Sequence, residues 1–266
     1  MKVKFLGTGT SHGVPSIDCM LNNYKNCPKN VCEKSKYDLK HYRTRSSILI
    51  EFETNKNILI DVSMDFRHQA LRERINKIDA ILITHCHFDH IGGIPDIRSY
   101  TSRNSEPLKV FGSFESNNVI KKTFSYIFDP NTFWGGGIPK LSLIDVYESF
   151  ELFGEKIVPI FVEHANLKGC FGYRIKNLAY IPDIKSISLK EKEKLNGLDL
   201  LILNCLREEK QHVSHLILGQ SIELAREIMP KKCFFIHMCH DIDYQLDKAK
   251  LDSWMDFSYD GLMLDI

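Results

Sequence analysis

Three histidines and one aspartate fall within six residues of the segment Thr84–His90. The segment directly follows an apolar run that predicts a β-strand, so its side chains emerge where a strand ends. His85 and His87 are two residues apart and can reach one metal ion from an extended loop, while Asp89 and His90 can supply a second ion nearby. Imidazole and carboxylate ligands suit Zn²⁺, Mn²⁺ or Fe²⁺. The segment therefore predicts a metal site rather than a solvated polar loop.

A site for two metal ions needs more ligands than one loop offers. Three further candidates, each just past a predicted strand, are His164, Asp183 and His237. Each of them, taken singly, has the alternative of capping or bonding a backbone group. Taken together, they complete two coordination spheres, and the sequence predicts a site along one edge of a sheet.

The elements that position these side chains are predicted from hydrophobic periodicity. Short apolar runs predict strands over 3–6, 47–52, 57–60, 80–83, 108–111, 156–162, 171–175, 178–181, 200–203 and 233–236. Stripes at helical spacing predict two helices, one through Phe66, Ala70, Leu71 and Ile75 and one through Leu218, Ile222, Ala225 and Met229, with a third near 117–127. Strands interspersed with helices, without a repeat or linker, predict one layered α/β domain of two mixed sheets covered by helices.

The composition is that of a soluble globular protein: of the 266 residues, 43% are hydrophobic and 26% charged. Lys plus Arg (35) nearly balance Asp plus Glu (34), and the net charge of +1 gives no overall attraction for nucleic acid. Apolar runs are far too short to span a bilayer, and the start lacks the apolar stretch and cleavage site of a secretory signal. We therefore expect a cytoplasmic protein with no membrane contact and no nucleic-acid partner.

Eight cysteines in a reducing compartment predict free thiols or metal ligands rather than disulfides. Cys170, Cys205 and Cys233 lie in or beside apolar runs, which predicts buried, inert thiols. A second group, Cys19, Cys27 and Cys32, clusters in a polar stretch near the start of the chain.

In motif and in order along the chain, the histidines and aspartates resemble the ligands of the metallo-β-lactamase superfamily, over nearly the whole length. Further matching segments are 7–15, 61–67, 171–175, 214–216, 237–240 and 259–261. They resemble the branch that contains the accessory phosphodiesterase of the carbon–phosphorus lyase pathway, which hydrolyses 5-phosphoribosyl 1,2-cyclic phosphate. The resemblance implies a single α/β (α+β) domain over residues 1–266, built as a four-layer αββα sandwich with the site at the sheet edge.

The resemblance also implies which residues hold the metals. One divalent ion would be held by His85, His87 and His164, the second by Asp89, His90 and His237, with Asp183 as the bridge. Two such ions, zinc or manganese about 3.5–4 Å apart, lower the pKa of a shared water to give hydroxide and clamp phosphoryl oxygens for in-line attack. Asp89 and Asp183 are thus expected to be catalytic as well as ligating.

Two further residues have expected roles around this centre. The resemblance implies that His215 faces the substrate phosphate, where it stabilises charge or protonates the leaving oxygen; a solvated loop histidine is the alternative. Asp61 is predicted to orient a histidine ligand through its other ring nitrogen, the alternative being a carboxylate that accepts from a nearby backbone amide. Asn204 stands where related chains often have Asp, so one polar support near the site differs.

The clustered cysteines have a counterpart in the same branch, where a cysteine cluster and a histidine three residues after the last catalytic ligand hold a structural zinc. Here His240 stands three after His237, but seven and four residues separate Cys19, Cys27 and Cys32. Wider spacing is tolerated because loop-closure entropy grows only slowly with length. We therefore predict a third, structural zinc at these four residues, carried by an insert loop over 19–45; three reduced surface thiols are the alternative.

One glycine- and aromatic-rich segment, 132–138, predicts a lid or pocket rim; the alternative is a turn that packs Phe133 and Trp134 into the core.

Together these residues predict a binuclear-metal phosphoric diester hydrolase that opens a small phosphodiester or cyclic phosphate. One alternative is a nuclease similar to ribonuclease Z, although no long basic insertion suited to transfer RNA is present. Another is a non-hydrolytic cofactor-biosynthesis or metal-binding protein of the same fold, similar to a pyrroloquinoline quinone biosynthesis protein. A thioesterase is supported by the fold alone. A homodimer is left open.

Overall fold

The computed structural model describes residues 1–102, 105–133 and 137–266. Its strands are β1 (Lys2–Gly7), β2 (Ser47–Glu51), β3 (Asn57–Ile60), β4 (Ala80–Leu82), β5 (Leu108–Gly112), β6 (Leu141–Asp145), β7 (Phe150–Leu152), β8 (Glu155–Phe161), β9 (Phe171–Ile175), β10 (Leu178–Ile181), β11 (Leu200–Asn204), β12 (Lys232–Ile236), β13 (Met255–Phe257) and β14 (Met263–Asp265). Its α-helices are α1 (Ile17–Leu21), α2 (Val31–Lys34), α3 (Phe66–Arg72), α4 (Phe88–Ile91), α5 (Arg98–Thr101), α6 (Phe114–Thr123), α7 (Ser125–Phe128), α8 (Leu189–Glu193) and α9 (Leu218–Ile228). Short 3₁₀ helices cover Pro28–Asn30, Ile94–Ile97 and Asp247–Lys250.

The strands form two seven-stranded mixed sheets, in the orders β14-β1-β2-β3-β4-β5-β6 and β13-β12-β11-β10-β9-β8-β7. In the first sheet β3 to β6 run parallel, and in the second β10 to β13 run parallel; the remaining pairs are antiparallel. Parallel neighbours end at the same edge of a sheet, so residues that follow β10 and β12 share one edge of the second sheet, while those that follow β4 lie at an edge of the first.

Both faces of the central strands are buried, as their continuous apolar runs predict. In β3, Ile58 and Ile60 point between the two sheets, while Leu59 packs in the cluster that includes Phe66 of α3 and Ile120 of α6. In the second sheet, the outer face packs against α9 through residues such as Ile222. Helices therefore cover the outer face of each sheet, and the predicted four-layer αββα fold is confirmed.

The four strands that periodicity did not predict, β6, β7, β13 and β14, are the edge strands of the two sheets. Three of them are only three residues long, and β6 is only partly buried along its length. Edge strands pair on one side and are often short, so they leave no long apolar run in the sequence.

Two residues of the predicted helical stripes are exposed. Leu71 lies five residues after Phe66, about 140° further around the helix, so it faces solvent instead of the sheet. Met229 is also exposed, because α9 ends there in the left-handed region, at φ 52°. The third predicted helix is two shorter ones, α6 and α7.

The predicted lid segment is only partly described. Trp134 lies outside the described residues. Phe133 is 92% exposed, so the alternative prediction, that Phe133 packs into the core, is wrong.

Within the described ranges, no helix is long and apolar enough to cross a membrane.

Candidate metal centre

The seven predicted ligands converge at one edge of the sandwich, from both sheets. His85 and His87 lie in the loop after β4, and α4 begins directly after His87, which places Asp89 and His90 in its first turn. The other three follow strands of the second sheet: His164 after β8, Asp183 after β10 and His237 after β12.

A first group of three imidazoles surrounds one point. The Nδ1 atom of His87 lies 3.0 Å from His85 Nε2 and 3.1 Å from His164 Nε2. Ligands of a tetrahedral zinc with bonds of about 2.0–2.1 Å lie roughly 3.3 Å from one another. The spacing of these nitrogens is close to that of a zinc coordination sphere.

A second group consists of Asp89, His90 and His237, whose ligand atoms lie within 4.8 Å of one another. The carboxylate of Asp183 stands between the two groups. Its Oδ2 atom is 2.7 Å from His90 Nε2 and 3.4 Å from His85 Nε2, and its Oδ1 atom is 3.0 Å from His237 Nε2. One carboxylate thus touches histidines of both groups.

Three buried atoms at this point lack a hydrogen-bond partner of suitable geometry: His90 Nε2 and both carboxylate oxygens of Asp183. Buried polar atoms are normally satisfied, and atoms that face one another without a hydrogen bond fit a bound ion at their centre. The residues present therefore fit divalent cations held by nitrogen and oxygen.

The electrostatics of the cluster agree with this fit. Burial lowers the pKa of His85 well below its usual value, lowers those of His87 and His164, and lowers that of His237 to about 3, so these rings keep free lone pairs at neutral pH. Against burial, interactions with His237, His90 and His215 hold the pKa of Asp183 well below its usual range. Also against burial, the neighbouring Asp89, Asp183 and Asp61 carboxylates raise the pKa of His90 well above its usual value. These four rings with free lone pairs, beside the Asp183 carboxylate, make a site that attracts cations.

Four of the histidines are oriented through their other ring nitrogen. Asp61 Oδ2 lies 2.7 Å from His90 Nδ1, and Thr84 Oγ1 lies 3.1 Å from His85 Nδ1. The carbonyl of Ser214 is 2.8 Å from His164 Nδ1, and Ser46 Oγ is 3.2 Å from His237 Nδ1. Such contacts fix the ring tautomer and raise ligand basicity. The sequence predicted this role for Asp61 but not for Thr84, Ser46 or Ser214, although Thr84 and Ser214 lie in segments that the resemblance covers.

His215 lies against the same centre, on the loop between β11 and α9. Its Nδ1 atom is 3.2 Å from Asp183 Oδ1, and its ring centroid is 5.0 Å from that of His237. Asn204, at the end of β11, donates to the carbonyl of Pro182 and accepts from the backbone of Leu216. The Asn204 amide thus holds the backbone next to Asp183 and next to His215.

The cysteine cluster forms a separate group of four buried or half-buried side chains. The ligand atoms of Cys19, Cys27, Cys32 and His240 lie within 4.8 Å of one another, with Cys19 Sγ 3.0 Å from His240 Nδ1. Backbone amides of Ser16 and Cys32 donate to the sulfurs of Cys32 and Cys27. Since the three cysteines are buried, they are not surface thiols, and three sulfurs with one imidazole are a donor set suited to zinc.

A family model described as a Beta-lactamase superfamily domain matches residues 56–238. The crystal structure of a "New Diphosphatase from the PhnP Family" is 34% identical, with a TM-score of 0.88, and the match covers 100% of this chain and 97% of that one.

Curated relatives match over less of their own length. An octanoyltransferase from Porphyromonas gingivalis is 34% identical over 263 residues, which are 98% of this chain and 51% of that protein. A ribonuclease Z from Limosilactobacillus reuteri is 27% identical over 150 residues, 54% of this chain and 47% of that protein. The chain therefore spans about half the length of these curated relatives.

Proposed function

Because the chain belongs to the metallo-β-lactamase superfamily, in its PhnP-like branch, we propose that it is a binuclear metal-dependent phosphodiesterase acting on a small phosphodiester or cyclic phosphate. The observation that carries the proposal is the position of Asp183, whose two carboxylate oxygens face histidines of both groups. A carboxylate placed in this way suits a bridge between two cations.

In this proposal the position of each residue decides which ion it binds. His85, His87 and His164 would hold one ion, Asp89, His90 and His237 would hold the other, and Asp183 faces both sets. Two divalent ions, zinc or manganese, would supply Lewis acidity toward phosphoryl oxygens and lower the pKa of a water molecule. Asp61 holds the His90 ring in its ligating orientation.

His215 serves the leaving group. Its ring lies beside Asp183 and His237 and keeps a partly exposed edge, so it can donate a hydrogen bond or proton to an oxygen that develops charge. Asn204 and Lys185 hold the surrounding loop, since the Lys185 ammonium lies 2.8 Å from the carbonyl of His212.

The cysteine cluster has a structural part in the same proposal. A zinc held by Cys19, Cys27, Cys32 and His240 ties the insert over 19–45 to the loop after β12, three residues beyond His237. The chain would then carry two catalytic ions and one structural zinc.

A nuclease similar to ribonuclease Z is the second candidate, supported by the match to the Limosilactobacillus reuteri enzyme. Against it stands the near-zero net charge, which supplies no general attraction for a polyanion.

A metal-loaded activity panel tests the proposal. It compares cyclic nucleotides, a ribosyl cyclic phosphate, a diaryl phosphodiester, a nucleoside diphosphate sugar, precursor tRNA and a thioester. We expect turnover of a cyclic or small diester, absent in Asp183→Asn. Cleavage of precursor tRNA alone would favour the nuclease, and turnover of the diphosphate or thioester alone would refute the phosphodiesterase. No turnover in any arm would favour a non-hydrolytic protein.

A further inference from the structure

One turn of the chain carries a candidate ligand of each kind of metal site. We call residues 237–243 the ligand turn: it begins with His237 of the catalytic centre and contains His240 of the cysteine cluster. His237 has a left-handed backbone, at φ 63°, a conformation that a residue other than glycine keeps only where its surroundings impose it. The contacts made by the ligand turn therefore determine where both imidazoles lie.

Arg43, near the end of the insert over 19–45, binds this turn through its guanidinium. Its Nη1 atom donates to the carbonyl of Cys239 at 2.7 Å, and its Nη2 atom donates to the carbonyl of Ile242 at 2.8 Å. The two carbonyls stand on either side of His240 in the sequence. Because a guanidinium holds its donors in one rigid plane, the pair of hydrogen bonds fixes the backbone on both sides of this ligand.

The same guanidinium is a costly group to bury. Arg43 is 1% exposed, and its Nε atom has no hydrogen-bond partner. Two carboxylates whose charges act on it, Asp243 and Asp260, pair with Lys34 and Arg72 instead. A buried cation without an ion pair destabilises a fold unless its hydrogen bonds offset the cost, and an apolar side chain would fill the same space without that cost. What arginine adds at this position is its contact with the ligand turn.

The chain that follows Arg43 contacts the catalytic end of the same turn. Three residues further on, Ser46 Oγ lies 3.2 Å from His237 Nδ1. The Ser46 hydroxyl also donates to the carbonyl of Gly9, and Gly9 pairs with Met238 in a β-bridge. One short stretch of chain thus supports both ends of the ligand turn, the end with the catalytic ligand and the end with the cysteine-cluster ligand.

We propose that Arg43 is a positioning residue that couples the two metal sites: because it fixes the ligand turn, zinc at the cysteine cluster strengthens metal binding at the catalytic centre. Arg43 acts through His240 and His237 and touches neither substrate nor metal. The coupling is reciprocal, since each metal must change the affinity for the other by the same factor. This inference rests on the metal sites of the proposed function and not on the identity of the substrate.

A double-mutant cycle tests the coupling. Zinc-reconstituted protein is exchanged against Mn²⁺, and chelator competition measures Mn²⁺ affinity at the catalytic centre in wild type, Cys27→Ser, Arg43→Met and the double variant. We expect the affinity to fall about tenfold in each single variant, the low end of the effect of an outer-shell partner. The double variant should lose no more than either single one, because both substitutions release the same turn.

Arg174→Met is the matched control. Arg174 is a half-buried arginine of β9 that also donates to backbone carbonyls, those of Lys176 and Asn196. Its loss should leave the Mn²⁺ affinity at the wild-type value even where the melting temperature falls, which separates coupling from loss of stability. Arg43→Lys keeps the charge without the rigid fork and should retain part of the affinity; it also serves if Arg43→Met fails to fold.

Hydrogen exchange provides a readout of the turn itself. In Arg43→Met the amides of the ligand turn should exchange faster relative to those of β12, whereas a general loss of stability would speed both. Equal relative exchange in wild type and Arg43→Met would contradict the positioning role.

The cycle has outcomes that overturn the inference. Unchanged Mn²⁺ affinity in Arg43→Met or in Cys27→Ser refutes the coupling, as does a wild type whose cysteine cluster holds no zinc. Additive losses in the double variant would show that Arg43 and the cluster act independently. Failure of the proposed phosphodiesterase is a different result: a wild type that binds both kinds of metal and hydrolyses no diester.

Discussion

Asp61 and His90, 29 residues apart in the sequence, form a fully buried pair in which the Asp61 carboxylate lies 2.7 Å from the Nδ1 atom of His90. The same carboxylate accepts hydrogen bonds from the backbone amide and hydroxyl of Thr84. Asp61 holds this position with a left-handed backbone, at φ 62°. Backbone strain of this kind persists where the surrounding structure determines it, often at functional sites.

The pair gives a prediction about metal affinity. Asp61→Asn removes the charge that orients the His90 ring, so we expect the affinity for catalytic metal to fall about 10- to 100-fold. Chelator competition on the metal-loaded protein measures it. Asp199→Asn, which changes a partly exposed carboxylate paired with Lys231, is the control. Equal affinity of Asp61→Asn and wild type would show that Asp61 only bonds the backbone of Thr84.

His215 gives a prediction about turnover. Because its ring faces Asp183 without belonging to either proposed set of ligands, His215→Ala should keep its metal content while kcat on the best substrate falls by roughly 10²–10⁴. Elemental analysis and steady-state kinetics on the same sample measure both. His68→Ala, on the exposed side of α3, should behave as wild type. Loss of metal from His215→Ala, or an unchanged kcat, would contradict the assigned role.

The cysteine cluster gives a prediction about metal selectivity. Thiolates favour zinc over manganese, so exchange against Mn²⁺ should replace the catalytic ions and leave about one zinc per chain. In Cys27→Ser that zinc should be lost and the melting temperature lowered, because a structural zinc contributes folding free energy. Cys233→Ala also disturbs a buried thiol but should retain the zinc. If the exchanged wild type keeps no zinc, the cluster is not a zinc site.

Asp243 gives a prediction about acid stability. It accepts backbone hydrogen bonds from Gln245 and Leu246 and pairs with Lys34 of the insert at 2.6 Å. Burial acts to raise its pKa, but these backbone amides and the lysine lower it to about 2. An unfolded aspartate has a pKa of about 3.9, so the stabilisation is complete above about pH 4 and is lost as the pH falls toward 2.

Asp243→Asn should therefore melt below wild type at pH 7, and the difference should shrink between about pH 4 and pH 2. Thermal melts of both proteins across this range measure it, and acid release of zinc affects both alike. A difference that stays constant with pH would mean that the carboxylate does not titrate in this range.

Much of the fold can be predicted from the sequence, because most strands and helices produce local patterns of apolar residues. Ten of the strands are predicted from apolar runs, since both faces of the central strands are buried. The candidate ligands are visible for a related reason: His85, Asp183 and His237 each follow such a run, and parallel strands bring their ends to one edge. The four edge strands pair on one side only, and the sequence offers little sign of them.

Contacts between distant segments were decided by the tertiary structure alone. The contact between Ser46 and His237 joins residues 191 positions apart, and the contact between Ser214 and His164 joins residues 50 positions apart. Residue type predicts neither contact, because a hydroxyl or a carbonyl becomes a partner only where the fold places it beside the ring.

The same holds for the cysteines. The polar residues around Cys27 suggest a surface loop, yet packing of the insert against the loop after β12 buries its thiol. Residue type and spacing determine which chemistry is available to this protein, and tertiary packing decides where it is placed, because burial and distance are properties of the folded chain.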